Sequence, residues 1–139
     1  MFTDQGIIEG EAHEISDFKK NLNNDIEIYA DVFVKHAVPP EGSKIENHAE
    51  ELINRAGADV VIVTGDGTGH QINMDDLTKV REIVPVGKLA IGSGVDHTNI
   101  NQYENIANIL IIGTSFKKDG NVENPVDIDT AKEVIGQLK

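Results

Sequence analysis

Two kinds of hydrophobic pattern alternate along the chain. Short, almost continuous apolar runs predict β-strands at residues 25–36, 58–64, 88–91 and 109–112. Between and around them, apolar residues recur every three or four positions, which predicts five helices. Strands that are apolar on both faces and alternate with helices indicate parallel (β/α) units. We therefore expect an α/β fold of four strands and five helices, forming one domain over residues 1–139.

The helix limits are predicted from periodicity and from capping residues together. The first helix, at residues 9–22, places Ala12, Ile15, Phe18 and Leu22 on one face. Later helices have candidate N-caps, which are Ser43, Asn73, either Asp96 or Thr98, and Asp127.

Two architectures satisfy this pattern. One is a small doubly wound open sheet with helices on both faces. The other is half of a (β/α)8 barrel, because a complete barrel needs roughly 250 residues and this chain has 139. A half-barrel leaves two apolar edge strands unpaired. Pairing with a second copy or with a complementary half-barrel chain would cover them.

Glycine and hydroxyl residues follow the last two predicted strands. Glycine lets the backbone approach a ligand closely, and its N–H groups can then bind an anion. Two such loops on successive strands predict a binding site for a phosphate monoester, while the simpler alternative is that the glycines only turn strand into helix. The candidate phosphate-binding residues are Gly92, Ser93, Gly94, Gly113, Thr114, Ser115 and Lys117.

Composition narrows the classes of partner. The formal net charge of −12 argues against nucleic acid and against anionic membranes, which both favour a basic surface. The chain has no cysteine, so thiolate metal sites and disulfides are excluded. No apolar run approaches the roughly 20 residues of a membrane span, and the amino terminus does not resemble a signal peptide. We expect a cytoplasmic protein with no cofactor and no metal site.

Several stretches resemble the BtpA/SgcQ family, in order and over essentially the whole chain. They are residues 3–13, 30–37, 57–65 and 91–95, and the quite specific Ile112-Gly-Thr-Ser-Phe-Lys-Lys-Asp-Gly-Asn-Val-Glu-Asn-Pro-Val126. This family consists of TIM-barrel proteins named for a cyanobacterial member tied to photosystem I biogenesis. The resemblance implies that only the carboxyl-terminal half of the barrel is present, with strands five to eight. The two glycine loops would then follow strands seven and eight, where TIM barrels commonly bind phosphate.

The first predicted strand carries three candidate catalytic residues, which also match the family motif. Asp31 and Lys35 share a strand face with Phe33, which would place both near the carboxyl-terminal mouth of the barrel. Lys35 could act as base, electrostatic stabiliser or Schiff-base nucleophile, and Asp31 would hold its charge. The alternative is a structural ion pair. His36 could carry a proton, or it could be a structural histidine at the loop edge.

Other candidates belong to further loops. Asp4 and Gln5 could reach a ligand or cap the first helix, and Thr64 and Gly65 begin a glycine-rich loop that lacks the Lys-Ser/Thr of a P-loop. Glu9 and His13 have metal-like spacing, but a charged surface is the simpler interpretation.

Three functional hypotheses follow. The first is binding of a small phosphorylated metabolite, such as a sugar phosphate, with isomerase- or aldolase-type chemistry. The second is a non-catalytic assembly or biogenesis factor, and the third is a truncated half-barrel that is inactive alone. The sequence leaves open whether the chain is an enzyme.

Overall fold

The computed structural model describes residues 1–22, 25–65 and 70–138. Within these residues there are five α-helices and seven short strands. The helices are α1 (Ala12–Leu22), α2 (Ile45–Asn54), α3 (Met74–Ile83), α4 (Ile100–Tyr103) and α5 (Ile128–Ile135). The strands are β1 (Phe2–Thr3), β2 (Gly6–Ile7), β3 (Tyr29–Asp31), β4 (Ala37–Val38), β5 (Val60–Val63), β6 (Leu89–Ile91) and β7 (Ile109–Leu110). Two 3-10 turns, Thr114–Phe116 and Lys118–Gly120, follow β7.

Four of the strands form one parallel sheet in the order β3-β5-β6-β7. Each strand therefore lies beside the next strand in the chain, with Asp31 opposite Ile62 and Ala90 opposite Ile109. The order never reverses, unlike that of a doubly wound sheet. The predicted parallel α/β fold with four main strands is confirmed, and its arrangement is that of a half-barrel.

Four of the five described helices pack on one face of this sheet. Residues of α2, α3, α4 and α5 share a single core cluster with alternate residues of β5 and β6, among them Val61, Val63, Leu89 and Ile91. Val60, Ile62 and Ala90 point to the other face and form a separate small cluster with Ile109. A doubly wound sheet needs helices on both faces, so this alternative is wrong.

A second, antiparallel sheet of order β2-β1-β4 was not expected from the sequence. It also explains why the first predicted strand, residues 25–36, shortens to β3. After Asp31 the chain bends away, the Val34 N–H lies 3.4 Å from the Met1 sulfur, and Ala37 pairs with Thr3 of β1. Tertiary pairing with the amino-terminal hairpin therefore ends the strand.

The capping predictions have mixed outcomes. The side chains of Asn73 and Asp127 cap α3 and α5 as predicted, each accepting hydrogen bonds from two backbone N–H groups. Ser43 is not a cap, since α2 begins at Ile45 and no side chain caps it. Before α4, Asp96 accepts hydrogen bonds from Thr98 in a local turn but does not occupy the cap position. Helix α1 ends at Leu22 as predicted, and residues 23–24 lie outside the described residues.

Helix α1 is held by a polar contact. The Lys19 Nζ atom lies 2.6 Å from a carboxylate oxygen of Asp59, and the same oxygen accepts a hydrogen bond from the Ile28 N–H at 2.8 Å. The hydrogen bond from Lys19, followed by that from Ile28, lowers the pKa of Asp59. This carboxylate joins α1 to the entrance of β3 and β5.

We expect Asp59→Asn to destabilise the protein by about 1 kcal/mol at neutral pH, because the acceptor for Ile28 remains but the charge pair with Lys19 is lost. The pKa of Asp59 is lower in the folded state than its unfolded value of 3.8. Its contribution is therefore complete above that value and is lost as pH falls through the folded-state pKa. Urea unfolding of both proteins between pH 2 and 7 checks this.

The matched control is Asp129→Asn, which removes an exposed carboxylate 3.8 Å from Lys132. It should leave stability unchanged at every pH. Equal curves for Asp59→Asn and the wild type at pH 7 would contradict the role given to the Lys19–Asp59 pair.

Candidate functional site

An open cleft of about 800 Å³ lies where β6 and β7 end. It brings together every residue predicted to bind phosphate, and it adds Lys35 from the loop after β3. Its lining residues are Lys35, Gly92, Ser93, Gly94, Val95, Asp96, His97, Ile111, Gly113, Thr114, Ser115, Lys117, Asp119, Gly120 and Thr130.

The two loops meet because their strands are neighbours. Ile91 of β6 lies opposite Leu110 of β7, so both strands deliver their carboxyl ends to the same edge of the sheet. The Ser115 hydroxyl then donates a 2.5 Å hydrogen bond to the Val95 carbonyl. The second loop is thus tied to the first, and the two form one wall.

Internal packing accounts for two of the glycines. A Cβ on Gly92 would lie 2.5 Å from a methyl group of Thr64. Gly94 has a φ of 73°, and a Cβ there would lie 2.2 Å from the His70 carbonyl oxygen. Gly113 differs, since no atom lies within 4 Å of its Cβ position. Of the three glycines in these two loops, Gly113 alone leaves the backbone open at the cleft for reasons that packing does not explain.

Ser93 is also engaged in the fold. Its side chain is buried, with 8% exposed, and its hydroxyl accepts a hydrogen bond from the Gly65 N–H at 3.1 Å. The hydroxyl hydrogen remains available as a donor. Ser93 therefore connects the ends of β5 and β6 whether or not a ligand is present.

The cleft contains charges of both signs. Lys35 and Lys117 are its cations, and Asp96 and Asp119 are its carboxylates. Burial raises the pKa of Asp96, but hydrogen bonds from Thr98 and the nearby His97 outweigh it and hold that pKa below its usual value. Both Thr98 bonds, at 2.6 and 2.7 Å, go to the same carboxylate oxygen. The Asp96 charge is thus partly compensated within its own turn.

The three predicted catalytic residues are dispersed. Lys35 lines the cleft, whereas His36 lines a separate cavity of about 310 Å³, and Asp31 lies at the end of β3. The strand ends at Asp31, and the chain turns through His36, whose φ is 59°. The expectation that Asp31, Phe33 and Lys35 share a strand face is therefore wrong. Phe33 instead packs edge-on against His48, with ring centroids 5.2 Å apart.

The charge of Lys35 affects the pKa of Asp31 although the two side chains form no ion pair. Desolvation raises the pKa of Asp31, and the positive charge of Lys35 opposes this shift. Among the ion pairs of the described residues, none joins these two side chains. The structural ion pair considered from the sequence is consequently not formed.

The other predicted ligand residues lie outside the cleft. The Thr64 hydroxyl donates to the Phe33 carbonyl at 3.3 Å, and Gly65 is buried beneath His70. Asp4 and Gln5 form the exposed tip of the β1–β2 hairpin, too far before α1 to cap it. Most of the glycine-rich loop, Asp66 to Gly69, lies outside the described residues.

Five polar or glycine residues of the cleft were not predicted from the sequence to bind a ligand. Asp96 and His97 follow the first glycine loop directly, so their position along the chain was a usable signal. Three residues reach the cleft because an antiparallel β-bridge between Lys117 and Val126 folds the loop back on itself. They are Asp119, Gly120 and Thr130. Local sequence carries no sign of that pairing.

Within residues 1–22, 25–65 and 70–138, no three His, Cys, Asp or Glu side chains cluster as metal ligands. His13 instead lies 3.5 Å from Asp17 at the surface of α1. No helix in this part of the chain combines the length and the apolar character needed to cross a membrane.

Fold and cleft together define an α/β protein of half-barrel form, with a mixed-charge cleft at the carboxyl ends of its strands. The sequence model of the BtpA family matches residues 1–139, and the chain belongs to this family. The resemblance seen in the sequence motifs is thereby confirmed.

Three relatives illustrate the relationship. The chain is 40% identical over 138 residues to an uncharacterized protein of Thermococcus kodakarensis, covering 99% of this chain and 52% of the relative. It is 40% identical over 134 residues to an uncharacterized protein of Methanocaldococcus jannaschii, covering 96% and 50%. It is 39% identical over 127 residues to the photosystem I biogenesis protein BtpA of Synechocystis, covering 91% and 44%. The chain thus spans about half the length of these relatives.

We expect Gly94→Ala to destabilise the fold by at least about 2 kcal/mol, since it combines a left-handed backbone with a clash against His70. Gly113→Ala is the matched control and should change stability by less than about 0.5 kcal/mol, because open space surrounds its Cβ position. Chemical unfolding measures both. Equal losses for the two variants would contradict the packing role assigned to Gly94.

Proposed function

We propose that the protein binds a small phosphorylated metabolite in the cleft at the ends of β6 and β7. A sugar phosphate is the class that we favour. The observation that carries the proposal is the convergence of two cations and two glycine-hydroxyl loops on one open cleft.

The phosphate would lie against the second loop. Gly113 leaves the backbone accessible, Thr114 has a hydroxyl that can donate, and Lys117 follows within the same turn. Lys35 enters from the loop after β3, so positive charge approaches from two directions. A phosphate monoester is best held by such a combination of ammonium groups, hydroxyls and backbone N–H groups.

Lys35 is the group best placed for chemistry within the proposed site. Its amine could act as a base or form a Schiff base with a carbonyl carbon, which suits isomerase- or aldolase-type reactions. Burial raises the pKa of Asp31, the positive charge of Lys35 opposes that shift through space, and His36 follows Lys35 on the turn. We propose Asp31 and His36 as secondary candidates, with Lys35 as the one that contacts ligand.

We also propose that a second polypeptide segment closes the ring of strands. β3 and β7 each pair on one side only within the described part of the chain. A second copy of this chain or a complementary half-barrel would supply the missing neighbours. The relatives are about twice as long as this chain. Any activity that needs a complete barrel is therefore proposed only for the chain together with that second segment.

We expect Lys117→Ala to weaken binding of inorganic phosphate and sugar phosphates roughly tenfold, because a charge-assisted hydrogen bond is removed. Lys118→Ala is the matched control, since it removes the same charge from the adjacent residue, which does not line the cleft. Titration calorimetry at fixed ionic strength measures both. Ser93 is unsuitable for this test because its hydroxyl also stabilises the fold.

Absence of phosphate binding by the folded wild-type protein would count against the site itself. Equal weakening by the Lys117 and Lys118 variants would show that binding depends on general charge and not on this cleft.

A non-catalytic role in assembly is the second candidate function. It is favoured by the Synechocystis relative, which is named for photosystem I biogenesis, and by the apolar residues that α1 and α5 expose. Under this alternative, Lys35→Ala would leave function intact while substitutions on those helices would abolish it. A half-barrel that is inactive until completed remains the third hypothesis.

A further inference from the structure

We propose that Asp119 selects the ligand of the cleft, because its carboxylate binds hydroxyl groups of a sugar monophosphate and repels a second phosphate group. The inference rests on the proposed function and narrows its substrate class to sugars that carry a single phosphate. It assigns the specificity for that class to one residue of the loop after β7.

The backbone of Asp119 has an uncommon conformation. Its φ and ψ are 58° and 19°, which lie in the left-handed region that residues other than glycine, asparagine and aspartate rarely adopt. The surrounding turn is fixed by hydrogen bonds, because the Lys118 N–H donates to the Pro125 carbonyl at 3.1 Å and the Asn124 amide donates to the Lys118 carbonyl at 2.9 Å. The loop therefore holds Asp119 at a defined position in the lining of the cleft.

The fold itself makes no use of the Asp119 carboxylate. Within residues 1–22, 25–65 and 70–138, no hydrogen bond or ion pair involves this side chain, and the residue is exposed. Glycine would adopt the same backbone conformation without steric cost. Asp96, the other carboxylate of the cleft, differs because two hydrogen bonds from Thr98 already occupy one of its oxygens. Asp119 is thus the carboxylate that a ligand reaches without breaking an internal contact.

The charges of the cleft are not paired with one another. Among the ion pairs of the described residues, none joins a lysine of the cleft to Asp96 or Asp119. The ammonium groups of Lys35 and Lys117 therefore remain available to a phosphate, which is negatively charged and accepts hydrogen bonds. A carboxylate also only accepts hydrogen bonds, so it needs a donor from the ligand and does not bind a phosphate dianion.

These requirements define the ligand. Its phosphate lies against the loop from Gly113 to Lys117, and its carbon chain extends toward Asp119, where hydroxyl groups donate to the carboxylate. Hydrogen bonds to a charged acceptor are stronger than those to a neutral one. A second phosphate at that end would meet the negative charges of Asp96 and Asp119 and be repelled. The cleft therefore favours a monophosphate with free hydroxyl groups over a bisphosphate.

Titration calorimetry with three ligands of equal carbon number tests the inference. They are fructose 6-phosphate, fructose 1,6-bisphosphate, which adds a second phosphate, and hexyl phosphate, which lacks every hydroxyl group. The wild-type protein should bind fructose 6-phosphate at least about tenfold more tightly than either of the others. Equal or tighter binding of the bisphosphate or of hexyl phosphate would overturn the inference.

The substitution Asp119→Asn removes the charge and keeps the size of the side chain. Asparagine tolerates the left-handed conformation, so chemical unfolding should show wild-type stability. The affinity for fructose 6-phosphate should fall about fivefold, because a charge-assisted hydrogen bond is lost. The affinity for the bisphosphate should rise about fivefold as the repulsion is removed, so the preference for the monophosphate falls by more than about tenfold. Asp119→Gly, which also fits this backbone, should shift the preference in the same direction.

The matched control is Glu123→Gln, which removes the same charge from an exposed residue of the same loop that does not line the cleft. It should leave the preference between the two fructose phosphates unchanged. An equal shift in the Glu123 and Asp119 variants would show a general effect of charge and would overturn the role of Asp119.

Inorganic phosphate separates this inference from the proposed function. A folded wild-type protein that binds neither inorganic phosphate nor fructose 6-phosphate would reject the proposed function, and the role of Asp119 with it. Binding of inorganic phosphate together with the same ligand preference in the wild type and in Asp119→Asn would reject only the role of Asp119.

Discussion

The parallel pairing of β3, β5, β6 and β7 is the constraint on which the rest of the molecule depends. Parallel strands need helical crossovers, and here all the crossovers that are described pack on one face. That arrangement places every strand's carboxyl end at one edge of the sheet. It also leaves the outer edges of β3 and β7 without partners in the described residues. The candidate cleft and the two unpaired sheet edges are two consequences of the same topology.

The cleft illustrates how structural and functional demands overlap on the same residues. Ser93, Gly92 and Gly94 are needed to pack the strand ends against Thr64 and His70, so their identities would be required even in a protein without a ligand. Gly113, Thr114, Lys117 and Lys35 have no comparable packing role. A functional interpretation of this region therefore depends on the second loop and on Lys35, and much less on the first loop.

Helix α1 has an apolar stripe that the described residues leave exposed. The sequence predicts an apolar stripe on this helix, and such stripes usually pack against a hydrophobic core. The structure turns that stripe outward and holds the helix by the Lys19–Asp59 contact. The described residues leave that stripe exposed, so an amphipathic pattern alone did not show whether the helix buries it.

The sequence by itself predicted five helices and four parallel strands, because hydrophobic period is a local signal, but it left two architectures open until the strand order decided for the half-barrel. It also predicted that the two glycine loops meet, since neighbouring parallel strands end at the same edge. Only the tertiary structure decided that β3 stops at Asp31, because pairing with the amino-terminal hairpin draws the chain away. The separation of Asp31, Lys35 and His36 follows from that departure. Likewise, periodicity predicts that α1 has an apolar face, but it cannot specify which other element packs against that face.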